Sequence, residues 1–146
     1  DLSLRRSIIE EAFNLMLTKF PVRPPEATVI RQQEKILHDL KNNPDYSVYK
    51  LQKDFLDKVY KLARKQVREA VLIDFLTYKE NIEITHQDIV NYLNFTKRAR
   101  TKEFLFFRHP IIQANDQELP LSSEVLKKYC LREKMLNYMI EELTKF

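Results

Sequence analysis

Apolar residues recur at steps of three and four through residues 47–80: Val48, Leu51, Phe55, Val59, Leu62, Ala63, Val67, Ala70, Val71, Phe75 and Tyr78, with no Gly or Pro among them. The spacing predicts one long helix over about residues 47–80, roughly 50 Å at about 1.5 Å per residue. Its first two thirds are apolar mainly on one side, whereas residues 70–78 (AVLIDFLTY) are apolar nearly all round. One end is therefore expected in a helical body and the other in a half-exposed arm.

The same periodicity places four further helices. Leu4, Ile8, Ile9, Ala12, Phe13, Met16 and Phe20 make the stripe of a first, with Ser3 as its N-cap and Pro21 as its stop. The stiff connector FPVRPP leads to Pro25 in the first turn of a second, which carries Val29, Ile30, Ile36, Leu37 and Leu40 and ends at Asn42-Asn43-Pro44-Asp45. These two are expected to form a hairpin packed on itself. Thr85, with the acid Asp88 three residues on, caps a helix from His86 to about Phe95. Ser122 or Ser123 caps a last helix through Leu126, Tyr129, Leu136, Met139, Ile140 and Leu143, and residues 114–121 (ANDQELPL) read as a loop. The stretch 96–110 has no assignable pattern.

Composition narrows the class. The 146 residues contain no Gly, which removes the positive-φ turns and close backbone approaches on which Rossmann, P-loop and small β-barrel folds depend. An all-α, elongated multi-helix domain with a body and projecting arms is the expectation. Charged residues are 32%, apolar ones 44%, and the formal net charge is +4, which permits anionic partners without requiring one. No run of about 18 apolar residues suggests a membrane span, and the N-terminus lacks a signal-peptide pattern. Since the chain starts at Asp1 rather than Met, it reads as a fragment.

Candidate chemistry is sparse. Cys130, the only cysteine, lies on an apolar stripe with no adjacent base and reads as a buried structural thiol. His38, His86 and His109 lack metal-ligand spacing, so no metal and no cofactor are expected. Asp54 with Lys58 and Asp57 with Lys61 read as surface pairs on a helix. Asp74, inside the most apolar segment, calls for a partner such as an Arg or a Thr hydroxyl. Lys58, Lys61, Lys65 and Arg68 repeat along one helix face, and Lys97, Arg98, Arg100, Lys102 and Arg108 surround aromatics. Basic residues interleaved with Phe suit single-stranded nucleic acid, but acids balance the helix face, and nucleic acid stays the alternative of another class.

Three segments in order carry a resemblance. Residues 62–73 (LARKQVREAVLI) followed by Asn81-Ile82-Glu83-Ile84-Thr85, the proline-led 20–33 (FPVRPPEATVIRQQ), and 131–140 (LREKMLNYMI) resemble the C-terminal domain of bacterial trigger factor. Thr77 departs from the family's usual small apolar residue, and 96–121 matches nothing. The resemblance implies a single domain of 1–146: a linker helix at 1–20, a first arm and body helix at 25–80, a second arm at 85–121 and a C-terminal helix at 122–145. It also implies a cytoplasmic, ATP-independent chaperone module for unfolded or nascent polypeptide, without enzymatic activity. In that family the ribosome is met through a separate N-terminal domain and isomerisation belongs to another; neither matches these residues. A segment of a periplasmic chaperone is the near alternative, and arm pairing into a homodimer is left open. Dispersed apolar patches rimmed by charge suit such a role. The candidate polypeptide-binding residues are Tyr49, Phe55, Leu56 and Tyr60 on the long helix, with Phe95, Phe104, Phe106, Phe107, Ile111 and Ile112 beyond it.

Overall fold

A computed structural model describes residues 2–97, 105–108, 111–114, 117–120 and 122–145, with the side chains of Leu2, Thr96, Lys97, 111–114 and 117–120 left aside. The elements are α1 (Leu2–Lys19), α2 (Glu26–Lys41), α3 (Tyr46–Tyr49), α4 (Phe55–Lys79), α5 (His86–Lys97), β1 (Ile111–Ala114), β2 (Gln117–Pro120) and α6 (Ser123–Leu143). The fold is all-helical, as the periodicity predicts, with one small addition. Residues 114–121, expected as a loop, contribute to an antiparallel hairpin in which Ile111 pairs with Pro120 and Ala114 with Gln117.

The chain divides into two compact units, Lys19–Leu72 and a second made of Asp1–Thr18 with Ile73–Phe146. The first unit is a helical hairpin. α2 lays Val29 against Ala63 and Val67 of α4, with Ile36, Tyr60 and Val71 packed around them. Gln32 donates to Gln66 at 2.7 Å, Tyr60 donates to the Glu26 carboxylate at 3.0 Å, and Arg68 Nε donates to the Val22 carbonyl at 3.3 Å. The partner of α2 is thus α4.

The predicted long helix is shorter than its pattern. Asp54 sits at φ 62°, a left-handed conformation that no continuing α-helix contains, and α4 starts at the next residue. Residues 46–54 instead fold as the four-residue α3 and a series of turns. With no Gly available, Asp and Asn take both positive-φ positions among the described residues. The other, Asn81 at φ 54°, ends α4: the N–H of Ile82 reaches the Thr77 carbonyl at 3.0 Å and that of Asn81 reaches Tyr78 at 3.2 Å, the paired bonds of a Schellman stop.

The second unit buries larger side chains. Ile9, Phe13, Ile73, Leu76, Met135, Leu136 and Met139 are all buried, and a second cluster joins Tyr92, Leu105, Leu126 and Cys130 with Ile84, Ile89, Leu93, Phe95 and Tyr129 around it. Ser3, expected as the N-cap, lies inside α1. Thr85 and Asp88 do form a capping box, with the Thr85 N–H donating to Asp88 Oδ2 at 2.8 Å and the Asp88 N–H to Thr85 Oγ1 at 3.1 Å. Ser122 Oγ accepts from Val125 N–H at 3.2 Å and caps α6. Asp74 has its Arg: Arg132 donates to both carboxylate oxygens at 2.9 and 2.8 Å. The surroundings are wetter than the sequence suggests, since Phe75 and Tyr78 are exposed, Tyr78 by 87%.

Candidate functional site

The candidate residues fall into two separate places. On the hairpin unit, Tyr49, Phe55 and Tyr60 are half-buried and Leu56 is exposed. The rings of Tyr46 and Phe55 meet edge to face at 6.3 Å, which closes α3 onto the start of α4. Tyr60 lies further along α4 with its hydroxyl committed to Glu26. That hydrogen bond is the largest cause of its phenol pKa being raised.

The most exposed apolar residues near that turn are Leu51 (81%), Leu56 (65%) and Val48 (61%). Val48 and Leu51 belong to the helical stripe in the sequence and were not marked as binding positions. A helix continued through residue 54 would turn them toward the same side as Phe55 and Val59. The break at Asp54 releases them from it. Charge surrounds the patch: Lys50 lies over the Tyr46 ring at 5.7 Å, Lys61 pairs with Asp57 at 3.0 Å, and Lys53, Asp54 and Lys58 are exposed.

In the second unit, Phe107 is buried, Phe95 is half-buried and Phe106 is 37% exposed, with its ring 5.4 Å from that of Phe13. Phe107 has no face to offer a ligand in this arrangement. Phe104 and the side chains of Ile111 and Ile112 lie outside the described residues. Beside Phe95 and Leu105 runs a groove of about 640 Å³, floored by Tyr92 and Cys130 and rimmed by Asn91, Asn137 and Glu141. Its charges are largely internal: Lys134 binds Asp88 at 2.7 Å and donates to the Glu83 carbonyl at 2.6 Å. Arg5 donates to Asn137 Oδ1 at 2.9 Å. The Lys134 bond, followed by the Thr85 N–H, holds the Asp88 carboxyl below its ordinary range.

Burial pushes the Cys130 thiol up to about 11, so the thiolate is scarce at neutral pH. No cluster of three His, Cys, Asp or Glu able to hold a metal ion occurs among the described residues. The basic face of α4 is partly consumed by its own chain. Lys61 pairs with Asp57, Lys65 with Glu69 at 3.1 Å, and Arg68 holds the Val22 carbonyl. Of the second basic cluster, Arg108 is exposed and the Lys97 side chain, Arg98, Arg100 and Lys102 lie outside the described residues. No helix among the described residues is long and apolar enough to cross a membrane.

No protein-family model matches this chain, and comparison with curated proteins and with solved structures finds no match to either.

Proposed function

We propose that this chain is a chaperone module that holds exposed apolar segments of unfolded or nascent polypeptides, without nucleotide and without a catalytic step. The observation that carries the reading is the exposure of Val48, Leu51 and Leu56, close together in sequence at the connection between α2 and α4, among exposed Lys and Asp residues. Apolar side chains there contribute little to folding, yet each buried against a client is worth about 1.5–3 kcal/mol. Three of them, less the ordering of the client, give binding on the order of micromolar, weak enough to release. The resemblance of residues 20–33, 62–73, 81–85 and 131–140 to the trigger factor C-terminal domain supports the same role. On this reading the chain works in the cytoplasm, and contact with the ribosome belongs to a different domain.

The test is titration against a permanently unfolded, apolar-rich polypeptide at low and high salt, with single-stranded RNA in parallel. Expected is micromolar affinity for the unfolded chain that survives high salt, reduced about tenfold or more by Leu51→Asp with Leu56→Asp, and little RNA binding. RNA binding that falls steeply with salt, with no affinity for the unfolded chain, overturns the reading.

A further inference from the structure

Glu133 is the one buried carboxylate of the second unit among the described residues, with a side chain 6% exposed. Its Oε1 accepts from two successive backbone N–H groups, Phe106 at 3.1 Å and Phe107 at 2.8 Å. The Tyr92 hydroxyl holds the same stretch from α5, donating to the Phe107 carbonyl at 2.6 Å. Residues 105–108 belong to no helix or strand, and these three bonds, the burial of Leu105 and Phe107 and the Phe106 ring against Phe13 help dock them.

The carboxyl is poorly provided with positive charge. Arg5, from α1, is 3.8 Å from Oε2, beyond hydrogen-bond length, and is shared with Asn137. The other ionisable groups lining the same groove are Asp88 and Tyr92 from α5 and Cys130, Lys134, Tyr138 and Glu141 from α6. Lys134 is committed to Asp88, and Arg108, on the docked stretch, is exposed.

We propose that Glu133 is a proton-linked latch on residues 105–108: the neutral carboxyl keeps the stretch docked, and ionisation loosens it and exposes Leu105, Phe106 and Phe107. A neutral carboxyl still offers Oε1 to both N–H groups; ionisation strengthens those two bonds but puts a charge on a side chain only 6% exposed, and the burial is the larger effect. Burial outweighs the two N–H bonds and Arg5 and pushes the Glu133 carboxyl up to about 7. The sign follows from linkage. The docked state binds the proton more tightly than the released state, in which Glu133 regains an ordinary carboxylate value near 4.5. Docking is therefore strongest in mild acid and weakens as pH rises through neutrality. The latch stands apart from the client-binding reading, since its readouts need no client; where both hold, apolar surface increases with pH.

Two measurements test it. Carbon-13 NMR of Glu-labelled protein, titrated through the neutral range, is expected to show the Glu133 carboxyl changing near neutral pH; a midpoint in the ordinary carboxylate range overturns the proposal. Hydrogen exchange at the Phe106 and Phe107 amides is then compared between the wild type and Glu133→Gln at matched pH, so that base catalysis cancels. Gln is neutral and keeps an acceptor oxygen. From about pH 6 to about pH 8, wild-type protection is expected to fall about tenfold relative to the variant, the part of the linkage that falls in that window. Equal protection at both pH values overturns the latch. Should Glu133→Gln not fold, the carboxyl titration decides alone.

Discussion

The two units differ in the size of the side chains they bury. The hairpin unit closes over Val29, Ala63 and Val67, small side chains, and leaves Val48, Leu51 and Leu56 in water. The second unit buries Phe13, Ile73, Met135 and Leu136 almost completely and ties its elements with Asp74–Arg132, the Thr85–Asp88 box and Glu133. Hydrophobic burial scales with area removed from water, so the second unit holds most of the core energy. The hairpin has the thinner core, while exposed apolar residues occur in both units, Leu4, Leu15 and Tyr78 in the second among them.

Core truncation gives the largest contrast. Leu136→Ala is expected to cost about 3 kcal/mol, the transfer loss plus an unfilled cavity, whereas Val29→Ala removes less volume and is expected to cost about 2 kcal/mol. Native-state hydrogen exchange, followed amide by amide in each unit, reads both. Equal or reversed costs would break the claim that the second unit carries the heavier core.

The Asp74–Arg132 pair gives an asymmetric effect of the next size. Arg132 is mostly buried at 12% side-chain exposure and lies 5.2 Å from the Tyr129 ring, while Asp74 is 44% exposed. Removing the acid strands a mostly buried cation, so Asp74→Ala is expected to cost about 2 kcal/mol; Arg132→Leu leaves an acid that water can solvate and is expected to cost about 1 kcal/mol. Denaturant unfolding of both variants checks the order, and a costlier Arg132→Leu would contradict it.

Much of this was legible in the sequence wherever a residue type has a single local use. Thr85 with Asp88 announced a cap, Asp74 in an apolar run announced a partner, and Cys130 in a stripe announced burial. The break at residues 50–54 was not legible, because Val48, Leu51, Phe55 and Val59 keep helical spacing straight through it. No Gly or Pro marks the break; Asp54 supplies the positive φ itself. The same continuity hides Val48 and Leu51, whose helical spacing places them in the stripe and not among the candidate binding residues. Glu133 was missed because its role depends on Phe106 and Phe107, 26 and more residues earlier, and no spacing rule links them. The β1–β2 hairpin gave no signal, since Gln, Glu and Pro are poor strand formers.

The capping box gives a smaller effect, with a pH signature confined to acid. Thr85→Ala removes the hydroxyl that accepts the Asp88 N–H and is expected to cost about 1 kcal/mol. Asp88 is bound by Lys134 and by the Thr85 N–H, which lower its pKa in the folded state. The stability it contributes is therefore present above the ordinary carboxylate value and lost as pH falls through the folded one. This is opposite in sign to Glu133, so unfolding of Asp88→Asn should lose part of the acid sensitivity of the wild type while keeping its decline as pH rises toward and through neutrality.

The smallest expected effect is the one that separates the two units most sharply. Leu51 is 81% exposed at the hairpin turn, and its backbone N–H donates to the Val48 carbonyl at 3.2 Å, a bond any side chain permits. Leu51→Ser removes apolar surface that is already in water in the folded protein, so the unfolding free energy should change by no more than about 0.5 kcal/mol. The same substitution should weaken the unfolded-polypeptide interaction severalfold, because that is where its side chain is expected to leave water. A loss of stability well beyond that bound would mean that Leu51 is packed in solution, and the turn would then be a folding element like those of the second unit. Unchanged stability together with weakened binding would place the surplus apolar surface of the hairpin in recognition.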